Sequence, residues 1–146
     1  MKLYIANDHH GVSLKIFIVN YLKQKKINIE NLGTDTTDAV DYPIFAEKMC
    51  NQVLLNEGSL GIGICGTGIG ISIACNKIKG IRAAKVVNPT EAALARAHNN
   101  ANVIALSSQM DYSVVGKILD EFINTNYTGD ERHERRLAEI SEMELK

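Results

Sequence analysis

Apolar positions in this chain fall into short continuous runs that alternate with stretches of helical spacing. Leu3–Ala6 is a compact apolar run, and Leu14, Phe17, Ile18, Tyr21 and Leu22 then recur on one helix face. Ile27–Leu32 predicts a second strand, followed by a polar loop and a helix from about Pro43 to Leu55. Leu60–Ile64 is apolar and bounded by glycine, which predicts a buried strand, and a helix starts inside the glycine-rich turn after it and reaches Ile78. Ile81–Val87 is a fourth predicted strand. Asn88-Pro89-Thr90-Glu91 then opens a helix with a side-chain cap, proline at the first helical position and Glu three residues past the cap. That helix ends near His98, where Asn99 and Asn100 tolerate a left-handed turn. Asn102–Leu106 predicts the fifth strand, Tyr112–Ile123 a helix, and Asp130 the cap of a last, charged helix.

Strands that alternate with helices in this way predict an α/β fold. The expectation is one domain over residues 1–146, with a five-stranded parallel sheet between two helical layers in a Rossmann-like three-layer α/β/α arrangement. Ligands in such folds sit beyond the C-terminal ends of the strands. The polar residues obey that rule: Asp8 and His9 follow the first strand, Cys65–Gly70 the third, and Asn88 the fourth.

Charge narrows the partners. Sixteen basic and 17 acidic residues leave a net charge of −1, which offers no electrostatic footprint for nucleic acid or an anionic membrane. No apolar run approaches membrane-spanning length, and the N-terminal run breaks into Asn7-Asp8-His9-His10, too short and polar for a signal peptide. The three cysteines form neither an even framework nor a Cys-x-x-Cys pair. The expectation is a cytoplasmic protein, with Cys50 and Cys75 as small core residues.

The chemistry concentrates at Cys65-Gly66-Thr67-Gly68-Ile69-Gly70. Alternating glycines let successive backbone N–H groups face one space, and the helix N-terminus adds partial positive charge there. Such a turn suits an oxygen on which charge develops, and the same field favours a thiolate. A thiolate beside a cradle for oxygen charge is equipped to remove a proton alpha to a carbonyl. Other glycine-loop chemistries fit less well. Gly61-x-Gly63-x-x-Gly66 places its first glycines within the strand, and no acidic residue closes the next strand as a dinucleotide site requires. A P-loop needs Lys-Ser/Thr after its last glycine, and a cysteine phosphatase loop needs arginine six residues after the cysteine; position 71 is Ile in both cases.

His98 falls at a helix C-terminus, where the macrodipole favours a cation. Arg132 and Arg136, at i and i+4, share a helix face and can converge on a phosphate, or else pair with Glu131, Glu134 and Glu139. Asp8 could cap the first helix, and His10, adjacent to His9, is expected to point elsewhere. A metal site from Asp8, His9, His98 and His133 lacks any local ligand spacing, so no metal is expected.

Asp8-His9, Gly33-Thr34-Asp35, Asp41-Tyr42-Pro43, Cys65 to Gly70, Asn76-Lys77, Gly80-Ile81-Arg82-Ala83, His98-Asn99, Asn102-Val103, and Arg132-His133 with Arg136 occur in this order. The ordered set resembles the ribose-5-phosphate isomerase B family, in the wider group that includes the galactose-6-phosphate isomerase subunits. The resemblance implies an aldose–ketose isomerase of carbohydrate metabolism and the pentose phosphate pathway. It works without metal or cofactor and interconverts ribose 5-phosphate and ribulose 5-phosphate through a cis-enediolate. Residues matching Cys65, His98 and Thr67 are then the catalytic group, with Cys65 as the base that moves the proton between C2 and C1. His98 is the acid that opens the furanose ring, and Thr67 joins Gly66, Gly68, Ile69 and Gly70 in holding the oxygens. Asp8, His9, Tyr42 and Asn99 contact the sugar, and Arg132 and Arg136 grip the phosphate. The resemblance also implies a homodimer or homotetramer with sites shared between subunits. Two alternatives stay open. One is an isomerase for another sugar phosphate, such as galactose 6-phosphate or allose 6-phosphate; the other is a non-catalytic phosphosugar-binding protein. The family commonly carries a basic residue after its fifth strand, where this chain has Ser107-Ser108-Gln109.

Overall fold

The computed structural model describes residues 1–146. Its strands are β1 (Lys2–Asn7), β2 (Asn28–Asn31), β3 (Leu60–Cys65), β4 (Ala83–Lys85) and β5 (Val103–Ser107). Its helices are α1 (Val12–Gln24), α2 (Tyr42–Leu55), α3 (Ile69–Asn76), α4 (Pro89–Asn99), α5 (Tyr112–Asn124) and α6 (Glu131–Met143), with a 3-10 turn at His9–Gly11 ahead of α1. The strands form one parallel sheet in the order β2-β1-β3-β5-β4.

Alternating side chains separate two apolar layers. Leu3, Ile5, Ile62, Ile64, Ile104 and Leu106 face α1 and α5, where they meet Leu14, Ile18, Leu22, Ile118 and Phe122. Tyr4, Ala6, Cys65, Val103 and Ala105 face α2 and α3, against Met49, Cys50, Ile71 and Cys75. Gly61 and Gly63 lie on this second face for a steric reason. A Cβ on Gly61 would stand 3.1 Å from Val53, and one on Gly63 would stand 3.1 Å from Ile71. Bare strand backbone therefore lets α2 and α3 settle close to β3 and fixes the turn that joins β3 to α3.

Most predicted elements form where the pattern puts them. Asn88 caps α4 by accepting from Glu91 N at 2.8 Å, and Glu91 reciprocates by accepting from Val87 N at 2.8 Å. Asn100 takes the left-handed conformation that ends α4 (φ 45°). The fourth strand is shorter than expected. Ile81 N turns back to Ile78 O, and Arg82 N donates to the Asn102 side chain, so the ladder starts only at Ala83. Asp130 precedes α6 but caps it through its backbone carbonyl, which accepts from His133 N and Glu134 N at 2.9 Å; its side chain takes no part. No helix is long and apolar enough to cross a membrane.

Candidate active site

The C-terminal edge of the sheet gathers nine of the thirteen predicted residues. Cys65 is the last residue of β3, opposite Ser107 of β5, and is buried at 4% exposure. Its carbonyl accepts from Ser108 N at 2.9 Å, and Ser107 Oγ donates to Gly66 O at 2.7 Å, so β5 braces the turn from below. Gly68 has φ +77°, and a Cβ there would sit 3.0 Å from the Leu106–Ser107 peptide. Both facts demand glycine. Thr67 Oγ1 accepts from Ile69 N at 3.1 Å, which fixes the hydroxyl at the mouth of α3.

Tyr42, at the start of α2, lays its ring over Gly70; a Cβ on Gly70 would lie 2.5 Å from Tyr42 Cζ. Asp8 is buried, its N–H donates to Ile64 O (3.2 Å), and its Oδ1 accepts from His10 N at 3.0 Å. His9 Nδ1 accepts from Val40 N at 3.2 Å, which ties the loop leading to Tyr42 onto the end of β1. That loop is fastened at its other end by Lys15, whose buried ammonium donates to Thr34 O and Asp35. The hydrogen bond from Lys15, with a second from Asn31, holds the Asp35 carboxyl below its usual range. His10 does not point away, contrary to expectation. Its ring lies 3.7 Å from where a Gly66 Cβ would be, and its Nδ1 is 3.6 Å from Asp8 Oδ2. Asp8, His9 and His10 bring potential ligand atoms within 4.8 Å of one another.

The other predicted residues lie elsewhere. Because β4 and β5 are parallel, α4 must run back from the C-terminal to the N-terminal edge of the sheet. His98 and Asn99 end α4 and so sit at the N-terminal edge, separated from Cys65 by at least the strand length, about 15 Å. There Arg82 Nε donates to Asn99 O (3.1 Å) and Asn100 O (3.0 Å), satisfying the helix terminus. The His98 ring stacks on His133 of α6, with centroids 4.5 Å apart and planes 17° apart. Arg132 and Arg136 flank His133 and are exposed, and neither is paired with a carboxylate; Glu131 is taken by Arg135 at 3.0 Å. A cleft of about 710 Å3 opens between β4, the end of α3 and α6, and of the predicted residues only Asn99 lines it. Within one chain the predicted residues thus form two groups, Asp8, His9, Tyr42 and Cys65–Gly70 in one, His98, Asn99, Arg132 and Arg136 in the other. Lys15 has no role in the sequence reading, and His133 enters it only as a possible metal ligand and as part of the Arg132-His133 motif, since no local spacing links 15 to 35 or 133 to 98.

The Ribose/Galactose Isomerase family matches residues 3–140. The probable ribose-5-phosphate isomerase B of Mycoplasma genitalium is 46% identical over 142 residues, covering 95% of this chain and 93% of that protein. The Escherichia coli ribose-5-phosphate isomerase B is 38% identical over 144 residues, covering 98% and 96%. Among solved structures, the Mycoplasma genitalium ribose-5-phosphate isomerase B with bound ribulose 5-phosphate superposes with a TM-score of 0.94 at 45% identity, covering 99% of this chain and 97% of that one. Likeness of this extent in both sequence and fold settles the kinship: the chain belongs to the ribose/galactose isomerase family and is a sugar-phosphate isomerase.

Proposed function

We propose that the chain interconverts D-ribose 5-phosphate and D-ribulose 5-phosphate. The observation that carries this reading is Cys65 at the end of β3, under a turn whose glycines and helix N-terminus face the same space. As thiolate, Cys65 removes the proton from C2 of the opened aldose. The electron pair moves into a C1–C2 double bond, and O1 takes a proton, giving a cis-enediol(ate). Return of the proton to C1, with loss of the O2 proton as the carbonyl forms at C2, yields the ketose and balances the proton taken up at O1. The N–H groups of the Gly66–Gly70 turn, with Thr67, stabilise the oxygen charge that develops on the way. His98 donates a proton to the ring oxygen as the furanose opens. Asp8, His9, Tyr42 and Asn99 hold the sugar hydroxyls, while Arg132 and Arg136 hold the phosphate with charge-assisted bonds.

Since the two groups of residues occupy opposite edges of one sheet, the complete site is built between two copies of the chain. Ile69 and Ile73 support this. They stand one turn apart on α3, beginning at the glycine turn, and are 53% and 58% exposed, an apolar strip suited to a second copy. A homodimer, alone or within a tetramer, brings α4 and α6 of one copy to the glycine turn of the other.

The test is conversion of ribose 5-phosphate in D2O, followed by NMR, beside a panel of six-carbon sugar phosphates. Ketose formation with deuterium at C1 is expected for the five-carbon substrate. Cys65→Ala should lower turnover by about 100- to 10,000-fold. Retention of a tenth of the activity in Cys65→Ala would remove the cysteine from its role.

A further inference from the structure

His98 is held by very little in its own helix. It is the penultimate residue of α4, half-buried, and neither ring nitrogen makes a hydrogen bond within the chain. Its one aromatic partner is His133, stacked at 4.5 Å with nearly parallel planes. His133 itself is fixed. It is 7% exposed in the first turn of α6, and its backbone N–H donates to Asp130 O at 2.9 Å. Its Nε2 is buried without a partner, so the ring offers a flat face there and no hydrogen bond.

We propose that His133 is a positioning residue for His98: its immobile ring is the surface that holds the His98 imidazole in the orientation needed to protonate the ring oxygen. This rests on the reading of His98 as the ring-opening acid. Electrostatics agrees with the geometry. Burial pushes the His133 imidazole below its usual range, and the neighbouring His98, Arg132 and Arg136 add to that against the opposing Asp130. These effects favour the neutral form of His133, and a neutral ring is one on which the acid form of His98 can stack without like-charge repulsion. The flanking arginines at 132 and 136 also place the stacked pair beside the phosphate grip, so α6 sets ring acid and phosphate anchor relative to each other.

Two substitutions separate positioning from simple anchoring of α6. His133→Phe keeps a flat ring, whereas His133→Leu fills the space without one. Both are apolar and remove the orphaned nitrogen, so both fold. Two rates are read: net conversion of ribose 5-phosphate, and solvent deuterium incorporation at C1 of ribulose 5-phosphate, which is open-chain and needs no ring opening. His133→Leu should lower net conversion about tenfold or more while exchange at saturating ketose stays within about twofold, and His133→Phe should keep both within about threefold. Equal activity of the two variants, or a parallel loss of exchange and conversion in His133→Leu, overturns the proposal. His98→Asn is the reference. If it loses exchange as severely as conversion, the ring-opening role of His98 itself falls, independently of what His133 does.

Discussion

Cys65 and His98 stand at opposite edges of the same sheet: Cys65 closes β3 beside Ser107, while His98 ends the helix that leads back to the start of β5. No side-chain movement within one chain spans about 15 Å of strand. If the two residues act on one sugar, each active site takes Cys65 from one copy and His98 from another.

Two inactive variants should therefore rescue each other. Cys65→Ala and His98→Asn proteins, mixed after dissociation and allowed to reassociate, form mixed dimers that contain one intact site and one doubly altered site. Random pairing makes half of the dimers mixed, so about a quarter of wild-type activity should return under two-fold symmetry. Activity that stays at the sum of the two parents would mean that each site lies within a single chain.

The fold was largely legible in the sequence because its signals are local. The Asn88–Glu91 capping box, the αL-tolerant Asn100 and the apolar run at Leu60–Ile64 each act over a few residues, and each forms as the pattern predicts. The fourth strand was overestimated because Ile81 and Arg82 are apolar or strand-compatible by type but are claimed by turn and side-chain bonds from residues 78 and 102. The site was legible in part. The glycine turn and the ends of the strands are set by chain order, so their grouping follows from parallel topology. The stacking of His98 on His133 and the tie between Lys15 and Asp35 depend on packing between distant segments, which periodicity does not encode.

Gly70 is predicted to be indispensable because of Tyr42. Gly70 is the second residue of α3, so Gly70→Ala gains at most about 1 kcal/mol in helix propensity, which offsets part of the strain that the new methyl brings. The new methyl, however, would lie 2.5 Å from Tyr42 Cζ and 2.6 Å from its hydroxyl, and the ring must move. If Tyr42 contacts the sugar as proposed, displacement of its ring by about an ångström should lower kcat/KM by about 10- to 100-fold. In a Tyr42→Ala background the same change should have little further effect, because the clash is gone. Additive losses in the double variant would place the cost of the methyl elsewhere.

His133 makes stability depend on pH in a defined direction. Its folded-state pKa is lowered by burial, so between that value and the ordinary value of about 6.5 the unfolded chain binds a proton that the folded chain does not. Stability from this residue is therefore present above about 6.5 and falls as the solution is acidified through that window. The informative quantity is a difference between two variants. The drop in Tm of the wild type between pH 7.5 and 5 should exceed that of His133→Phe. Identical drops would show that His133 takes up its proton equally in both states.

Gln109 decides how the phosphate end is read. It is exposed just past β5, its N–H donates to Ser107 Oγ at 3.1 Å, and Ser107 in turn holds the glycine turn through Gly66 O. Position 109 thus lies on the same edge as Cys65, where the resemblance leads one to expect a cation. Arg132 and Arg136 reach the phosphate from the other copy in the proposed assembly, and charge-assisted bonds of this type are worth roughly 1.5–3 kcal/mol each. Gln109→Arg adds a third cation, so KM for ribose 5-phosphate should fall by about threefold to tenfold at low ionic strength. The gain should shrink as added salt shortens the Debye length from about 30 Å at 0.01 M to about 8 Å at 0.15 M. The same arginine would crowd a substrate one carbon longer, and KM for six-carbon phosphates should rise or stay high. Improvement for both lengths would show that the site has room beyond ribose. No change for either would place Gln109 outside the pocket and leave Arg132 and Arg136 as the whole of the phosphate grip.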